Sequence, residues 1–220
     1  GDHRDLHLSI RRQRQMCIRD RYSVVPINKI YQAFMSSLDQ EFSDTKPDVS
    51  EQNLQARSRG VILMGISNKK GLLVLTTGNK SEIAVGYSTL YGDMAGGFNV
   101  LKDVSKTLVY RLARYRNQSE SKRAGNIIPQ EVIDRAPSAE LLPGQSDQDS
   151  LPPYEELDQI LELYVEKDLS AQAIIEHGFP ESVVQHVLRL VDLNEYKRRQ
   201  SPVGIRLTER GFGRDRRYPI

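Results

Sequence analysis

The residues Thr77-Gly78-Asn79-Lys80-Ser81-Glu82 follow directly on the apolar run Leu72, Leu73, Val74, Leu75. A polar turn at the carboxyl end of a strand is where open α/β sheets hold ligands. Three readings fit these residue types. Threonine hydroxyls, backbone amides and a following helix N-terminus donate to phosphate. Glu82, in the first turn of that helix, offers a hard carboxylate to a magnesium ion that also takes phosphate oxygens. The third reading is purely local: Ser81 caps the helix and Glu82 favours the positive end of its dipole. Neither the Walker pattern nor GxGxxG occurs in the chain, so neither nucleotide fingerprint decides among them.

The surrounding pattern predicts the elements that must position this turn. "SVVPI" reads as a short strand ending at Pro26. "INKIYQAFMSSLDQEF" places Ile30, Phe34 and Leu38 on one helical face. After the loop "SDTKPDVS", Ser50 caps a helix through "EQNLQARSRGVILMGISN", which Gly71 ends, and "LLVLTT" is a buried strand. "KSEIAVGYSTL" reads as a helix begun by Lys80 and Ser81, and "GDMAGGF" as a loop. Asp103 or Ser105 caps "KTLVYRLARYRN", followed by the polar linker "QSESKRAGN" and a short helix near Pro129 to Asp134. The C-terminal part is helical in "YEELDQILELYVE", "SAQAIIEHG" and "ESVVQHVLRLVDLNEYKRRQ". Ser170 and Pro180 mark starts and Gly178 a stop. The tail "SPVGIRLTERGFGRDRRYPI" is basic with no evident core face. Strands separated by helices imply a parallel α/β sheet. Only two strands are clear, too few for a complete doubly wound domain.

Composition narrows the function classes. With 31 basic and 29 acidic residues among 220, the net charge is +2, which is not the balance of a dedicated nucleic-acid binder. No apolar run reaches a membrane span, and the N-terminus lacks the apolar core of a signal peptide. Cys17 is the one cysteine, and His3, His7, His177 and His186 are not spaced as metal ligands. A cytoplasmic protein is the expectation. Residues 1–21 are Arg-rich and aperiodic. They read either as non-native sequence, since "MCIRDR" resembles translated adapter sequence, or as a disordered basic arm. No function is carried from them.

Longer strings carry a family resemblance. "SEQNLQARSRGVILMGISNKKGLLVLTTGNKSEIAVGYSTLYGDMAGGFNVLKDVSKTLVYRLARYRN" resembles the synthetase domain of glutamine-dependent NAD synthetases, and "RAPSAELLPGQSDQDSLPPYEELDQIL" and "VLRLVDLNEYKRRQSP" continue it in family order. The resemblance runs over about residues 22–220. It implies an incomplete adenine-nucleotide-hydrolase-like (PP-loop ATPase) parallel sheet with a helical C-terminal portion. It also implies the family's reaction: ATP and magnesium adenylate the nicotinate carboxylate of deamido-NAD, pyrophosphate leaves, and ammonia made from glutamine by a nitrilase-like domain displaces AMP.

By that resemblance Thr77, Lys106 and Ser138 fall on ATP-contacting positions, Ser138 where relatives can carry Thr. Asn53 and Arg57, one helical turn apart, fall on deamido-NAD contacts. Glu82 falls on the acidic position that coordinates magnesium in related ammonia-dependent enzymes and that could contact the dinucleotide here. Lys197 matches a dinucleotide-binding lysine, with Tyr196 where relatives can carry His, and Tyr87 is a candidate stack on the substrate. Each has a plainer alternative. Arg57 and Arg59 could solvate a helix face, Lys106 could be a surface helix-start lysine, Tyr87 a boundary aromatic, and Lys197 to Arg199 a solvated helix end.

The chain departs from the family pattern where the pyrophosphate loop, "SGG" followed by an aliphatic residue and "DS", is expected upstream of Tyr22, and the glutaminase residues are absent. The expectation is the C-terminal part of a longer synthetase, inactive alone. In the family it pairs as a dimer and meets its glutaminase domain, with no membrane or nucleic-acid partner. A subunit-interface piece and an anion or nucleic-acid binder built on the basic tail are the competing readings.

Overall fold

Asp48 opens the longest helix of the computed structural model, which describes residues 23–124, 127–138, 141, 144, 146–210 and 212. Its carboxylate accepts from the Ser50 amide at 2.7 Å, and Glu51 reaches back to the Asp48 amide at 2.7 Å. This capping box satisfies amides that the first turn would otherwise leave unpaired. Asp48, rather than the expected Ser50, is therefore the cap. In chain order the elements are α1 (Asn28–Ser37), α2 (Asp39–Phe42), α3 (Val49–Lys70), β1 (Leu75–Thr76), α4 (Lys80–Val85), β2 (Phe98–Asn99), α5 (Lys106–Ala124) and α6 (Gln130–Asp134). They continue with a 3₁₀ turn (Asp147–Asp149), α7 (Tyr154–Leu161), a π-helical turn (Glu162–Glu166), α8 (Ala171–Glu176), α9 (Glu181–Leu193) and α10 (Glu195–Arg199).

β1 and β2 pair in parallel, Leu75 opposite Phe98 and Thr76 opposite Asn99. The α/β reading with a parallel sheet and a helical C-terminal half therefore holds, but its details change. "SVVPI" forms no strand; Pro26 has no amide to donate. β2 lies where a loop was expected. The "LLVL" run is not buried: Leu72, Leu73 and Leu75 are 57%, 66% and 55% exposed, because among the described residues the sheet has only two strands and little covers it. α1 forms as its period predicts, yet it buries no residue. The expected polar linker is still helical as far as Ala124. Residues 1–21, Cys17 included, lie outside the described residues.

The core lies in the C-terminal half. Leu157 and Ile160 of α7, Val165, Ile174 of α8, and Val184, Val187 and Val191 of α9 are all fully buried, and Ala84 and Val85 of α4 join them. Ser170 and Pro180 start α8 and α9 as expected, and Gly178 is left-handed at φ 98°. The tail does find a partner, contrary to expectation. Gly204 bridges Asn99 in parallel, Leu207 and Thr208 donate backbone amides to Asp103 at 2.7 Å each, and Phe212 packs on the core.

α4 links this core to everything described below. Lys80, Ser81, Ile83, Ala84 and Val85 are buried, and Glu82 is the residue of that helix left partly open. The helix begins at Lys80 as expected, but Asn79, not Ser81, is its cap: its side chain accepts from the Glu82 amide at 3.1 Å while Glu82 accepts from the Asn79 amide at 3.2 Å. Gly86, left-handed at φ 77°, ends it well before Leu90.

Candidate functional site

A cleft of about 1000 Å³ opens beside the carboxyl end of β1. All nine residues that the sequence assigns to a site line it: Asn53, Arg57, Thr77, Glu82, Tyr87, Lys106, Ser138, Tyr196 and Lys197. They come from α3, the turn after β1, α4 and the segment after it, the start of α5, the loop beyond α6, and α10. Their convergence is a property of the fold, since the outermost of them are more than a hundred residues apart in sequence.

One wall is the first half of α3 against the turn after α4. Asn53 accepts from the Thr89 hydroxyl at 3.1 Å, and Arg57 Nε donates to the Leu90 carbonyl at 3.2 Å. Arg57 is therefore held in place rather than waving on a solvated helix face. Gly60, one turn further, lets α3 approach closely: a Cβ there would stand 2.8 and 2.9 Å from the carbonyl oxygens of Tyr91 and Gly92. Lys197 Nζ, within reach of the Arg57 charge, donates to the carbonyls of Gly86 and Ser88 in the same turn at 2.8 and 3.0 Å. The Lys197 to Arg199 run is thus not a solvated helix end. Arg198 is buried with its guanidinium on the Ala84 and Val191 carbonyls, and Arg199 pairs with Glu195 at 3.0 Å.

In the same cleft Glu82 and Lys106 form an ion pair at 2.8 Å, both side chains mostly buried. The Lys106 ammonium also lies 5.4 Å from the Tyr154 ring and 5.9 Å from that of Tyr110. Desolvation pulls its pKa down, but the Glu82 charge and hydrogen bond outweigh it, so the net direction is up. Lys197 goes the other way: desolvation lowers its pKa, the nearby Asp93 only partly opposes this, and Arg57 adds to it. Asp93 is exposed as a residue, yet desolvation of its carboxyl raises its pKa. Tyr87 hydrogen-bonds Ser150 through its hydroxyl, and desolvation, then Asp147 and Asp149, raise its pKa. Thr77 is exposed at the rim, beside the buried Thr76.

Several residues escaped the sequence reading. Asp147, buried, accepts from the Tyr154 hydroxyl at 2.6 Å and lines the cleft near Lys106. Thr89 and Asp93 shape the turn opposite α3, the Thr89 amide donating to Asp93 at 2.5 Å. Asp158 ties α4 to α5. The cap-like spacing Ser146 to Asp149 was the available signal for the Asp147 turn.

Arg57, Arg59, Lys106 and Lys197 thus face one space with Glu82, Asp93 and Asp147. Such a mixture suits an anionic ligand held by cations and amides, with carboxylates left to position a positive or hydrogen-bonding group. Among the described residues no cluster of three or more His, Cys, Asp or Glu could hold a metal by itself. Glu82 alone fits a cation that draws its remaining ligands from phosphate, the usual arrangement for magnesium.

Comparison with known proteins assigns the chain to a family. The sequence profile described as NAD synthase matches residues 6–201. The glutamine-dependent NAD(+) synthetase of Acinetobacter baylyi is 57% identical over 200 residues, covering 90% of this chain and 36% of that protein. Its counterpart in Thermotoga maritima is 51% identical over 197 residues, covering 90% and 34%. The structure of the glutamine-dependent NAD+ synthetase from Acinetobacter baumannii in complex with ADP matches with TM-score 0.55 at 48% identity, over 96% of this chain and 37% of that one. An NMN synthetase from Francisella tularensis shares the fold, with TM-score 0.68 at 23% identity over 90% and 71%. The chain thus spans about a third of the length of the curated relatives it matches, and by the extent and identity of these matches it belongs to the NAD synthase family.

Proposed function

We propose that this chain is the nucleotide-holding part of a ligase that amidates deamido-NAD to NAD with ATP and ammonia released from glutamine. The observation that carries this reading is the convergence of all nine expected positions on one cleft. In it Lys106, Thr77 and Ser138 hold ATP. Asn53, Arg57, Tyr87, Tyr196 and Lys197 hold the dinucleotide. Glu82 would hold a magnesium ion through the oxygen that Lys106 occupies in this structure, the ammonium turning to phosphate, and the ion would neutralise phosphate charge. The nicotinate carboxylate attacks the α-phosphorus, pyrophosphate departs, and ammonia then displaces AMP from the mixed anhydride. What these residues supply is alignment of two anions that would otherwise repel, by cations fixed before the reactants arrive.

The full protein pairs this region with a glutaminase domain and, as in the family, with a second copy. The competing reading of the tail as an anion or nucleic-acid binder gains no support from its described part, where Gly204 bridges Asn99, Leu207 and Thr208 donate to Asp103 and Arg198 is buried; Arg214, Arg216 and Arg217 lie outside the described residues. Among the described residues no helix is long and apolar enough to cross a membrane.

The test exchanges the matching third of the Acinetobacter baylyi synthetase for this chain. The chimera is expected to form NAD from deamido-NAD, ATP and glutamine. Lys106→Ala in it should lower the rate by about two to three orders of magnitude, the loss typical of one preorganised electrostatic group. This chain alone should form no NAD from ammonium. A folded chimera without NAD formation, or one indifferent to Lys106→Ala, would refute the assignment.

A further inference from the structure

Glu82 and Lys106 meet only because two separate helices start side by side, and one carboxylate outside both of them holds that register. One oxygen of Asp158, on α7, accepts from the Ser81 hydroxyl. Its other oxygen accepts from the Thr107 amide at 2.9 Å and the Thr107 hydroxyl at 2.6 Å. The Ser81 hydroxyl oxygen in turn accepts from the Lys106 amide at 2.9 Å. The residues that carry the ion pair, Glu82 and Lys106, are each the immediate neighbour of a residue bound to Asp158. A helix N-terminus needs acceptors for its first amides, normally from the residue just before it. α5 takes two of them from elsewhere in the fold: Ser81 for the first amide and Asp158 for the second. A negative charge at that end is also favoured by the helix dipole.

We infer that Asp158 is a positioning residue for the nucleotide site: it locks the first turn of α5 to α4 so that Lys106 is presented in register with Glu82. It touches no ligand itself. Ser81 and Thr107 are the two arms through which it acts. Replacement of Asp158 leaves both helices able to form but free to slide against each other, and the ammonium no longer stands where phosphate is to be met. The inference deepens the function proposed above and rests on it only for what the register serves.

The register itself is read without any nucleotide. A carbodiimide joins a carboxylate to an amine only when the two are in contact, and mass spectrometry of the digested chain reports the Glu82–Lys106 link. A displacement of about 1 Å can reduce a proximity-controlled step by two orders of magnitude. Asp158→Asn is therefore expected to lower the yield of this link by about tenfold, at a temperature where circular dichroism shows the variant folded. Ser81→Ala, which removes the whole α4 arm because that arm runs through the hydroxyl alone, should lower it less. In the chimera described above, ATP binding by calorimetry should weaken by about tenfold or more, the effect that outer partners have on ligands in metal sites. Unchanged cross-linking in folded Asp158→Asn, or in Ser81→Ala should Asp158→Asn not fold, overturns the inference and leaves Asp158 a stabilising contact. If the chimera without further substitution binds no ATP, the functional reading of this chain fails, while the cross-link still decides the role of Asp158.

Discussion

Gly60 offers a quantitative check on how the cleft is built. A glycine inside a helix is ordinarily a liability, and alanine there stabilises by about 1 kcal/mol, partly by restricting the unfolded chain. At Gly60 that gain is opposed. The new methyl carbon would stand 2.8 Å from the Tyr91 carbonyl oxygen and 2.9 Å from that of Gly92, both backbone atoms that cannot swing aside. Forcing a methyl group into such packing costs about 1–3 kcal/mol. Gly60→Ala should therefore be neutral to destabilising by up to about 2 kcal/mol, a fall in Tm of up to about 8 °C for a chain of this size.

The same helix holds its own control. Gly65 has nothing within 4 Å of the position its Cβ would take. Gly65→Ala should therefore realise the full gain of about 1 kcal/mol, a rise in Tm of about 2–4 °C. The two substitutions change the unfolded chain alike, so their difference isolates the contact. Moving the turn also draws Thr89 away from Asn53 and Leu90 away from Arg57, so Gly60→Ala should weaken nucleotide binding while Gly65→Ala does not. Thermal unfolding and calorimetry measure both. Equal stabilisation by the two variants would refute the close approach of α3 to the cleft turn.

Two further predictions follow from buried charge. Asp103 and Glu166 lose water on folding, but Lys80, 2.7 and 2.5 Å away, and the amides of Thr208, Leu207 and Arg210 outweigh that loss and hold both carboxyls below their ordinary 3.8 and 4.5. A folded-state pKa below the unfolded one gives stability that is complete above the unfolded value and lost as pH falls through the folded one. The tail amides of Leu207, Thr208 and Arg210 should therefore lose hydrogen-exchange protection below about pH 4; unchanged protection about two pH units lower would remove the clasp. Lys197→Met should destabilise the fold by about 1–3 kcal/mol in chemical denaturation, because the Gly86 and Ser88 carbonyls lose a charged donor. No loss would mean that water already serves those carbonyls.

The sequence made the helices legible wherever a local rule governs them. Ser170, Pro180, Gly71 and Gly178 act through their own backbone preferences, and all four mark helix ends in the fold. The misplaced caps at Ser50 and Ser81 are errors of two residues between neighbouring polar candidates. Burial was less legible, because it depends on what packs opposite. "LLVL" has the composition of a core strand and stays exposed. "KS" has that of a surface turn and is buried, since Lys80 meets two carboxylates, of which Glu166 is 86 residues away. No periodicity in either segment encodes such a meeting. The site residues were legible only through longer strings resembling a family, and the geometry then brought them together.

α4 explains why these two kinds of information coincide at the cleft. A six-residue helix is too short to be stable from its own hydrogen bonds. Here it is fixed from all sides: Ile83, Ala84 and Val85 enter apolar surroundings, Lys80 is clasped by Asp103 and Glu166, and Ser81 is bound by Asp158. Its cap Asn79 is itself buried and closed by Glu82. Every neighbour of Glu82 is thus committed to the fold, and the carboxylate is left at the cleft with one oxygen on the cap and the other on Lys106. A carboxylate held this way loses little further freedom when a ligand arrives, which is the condition for electrostatic catalysis by preorganisation. On the proposed function, the residues that support Glu82 matter to the site as much as those that line the cleft, although Lys80, Ser81 and Asp158 do not line it themselves.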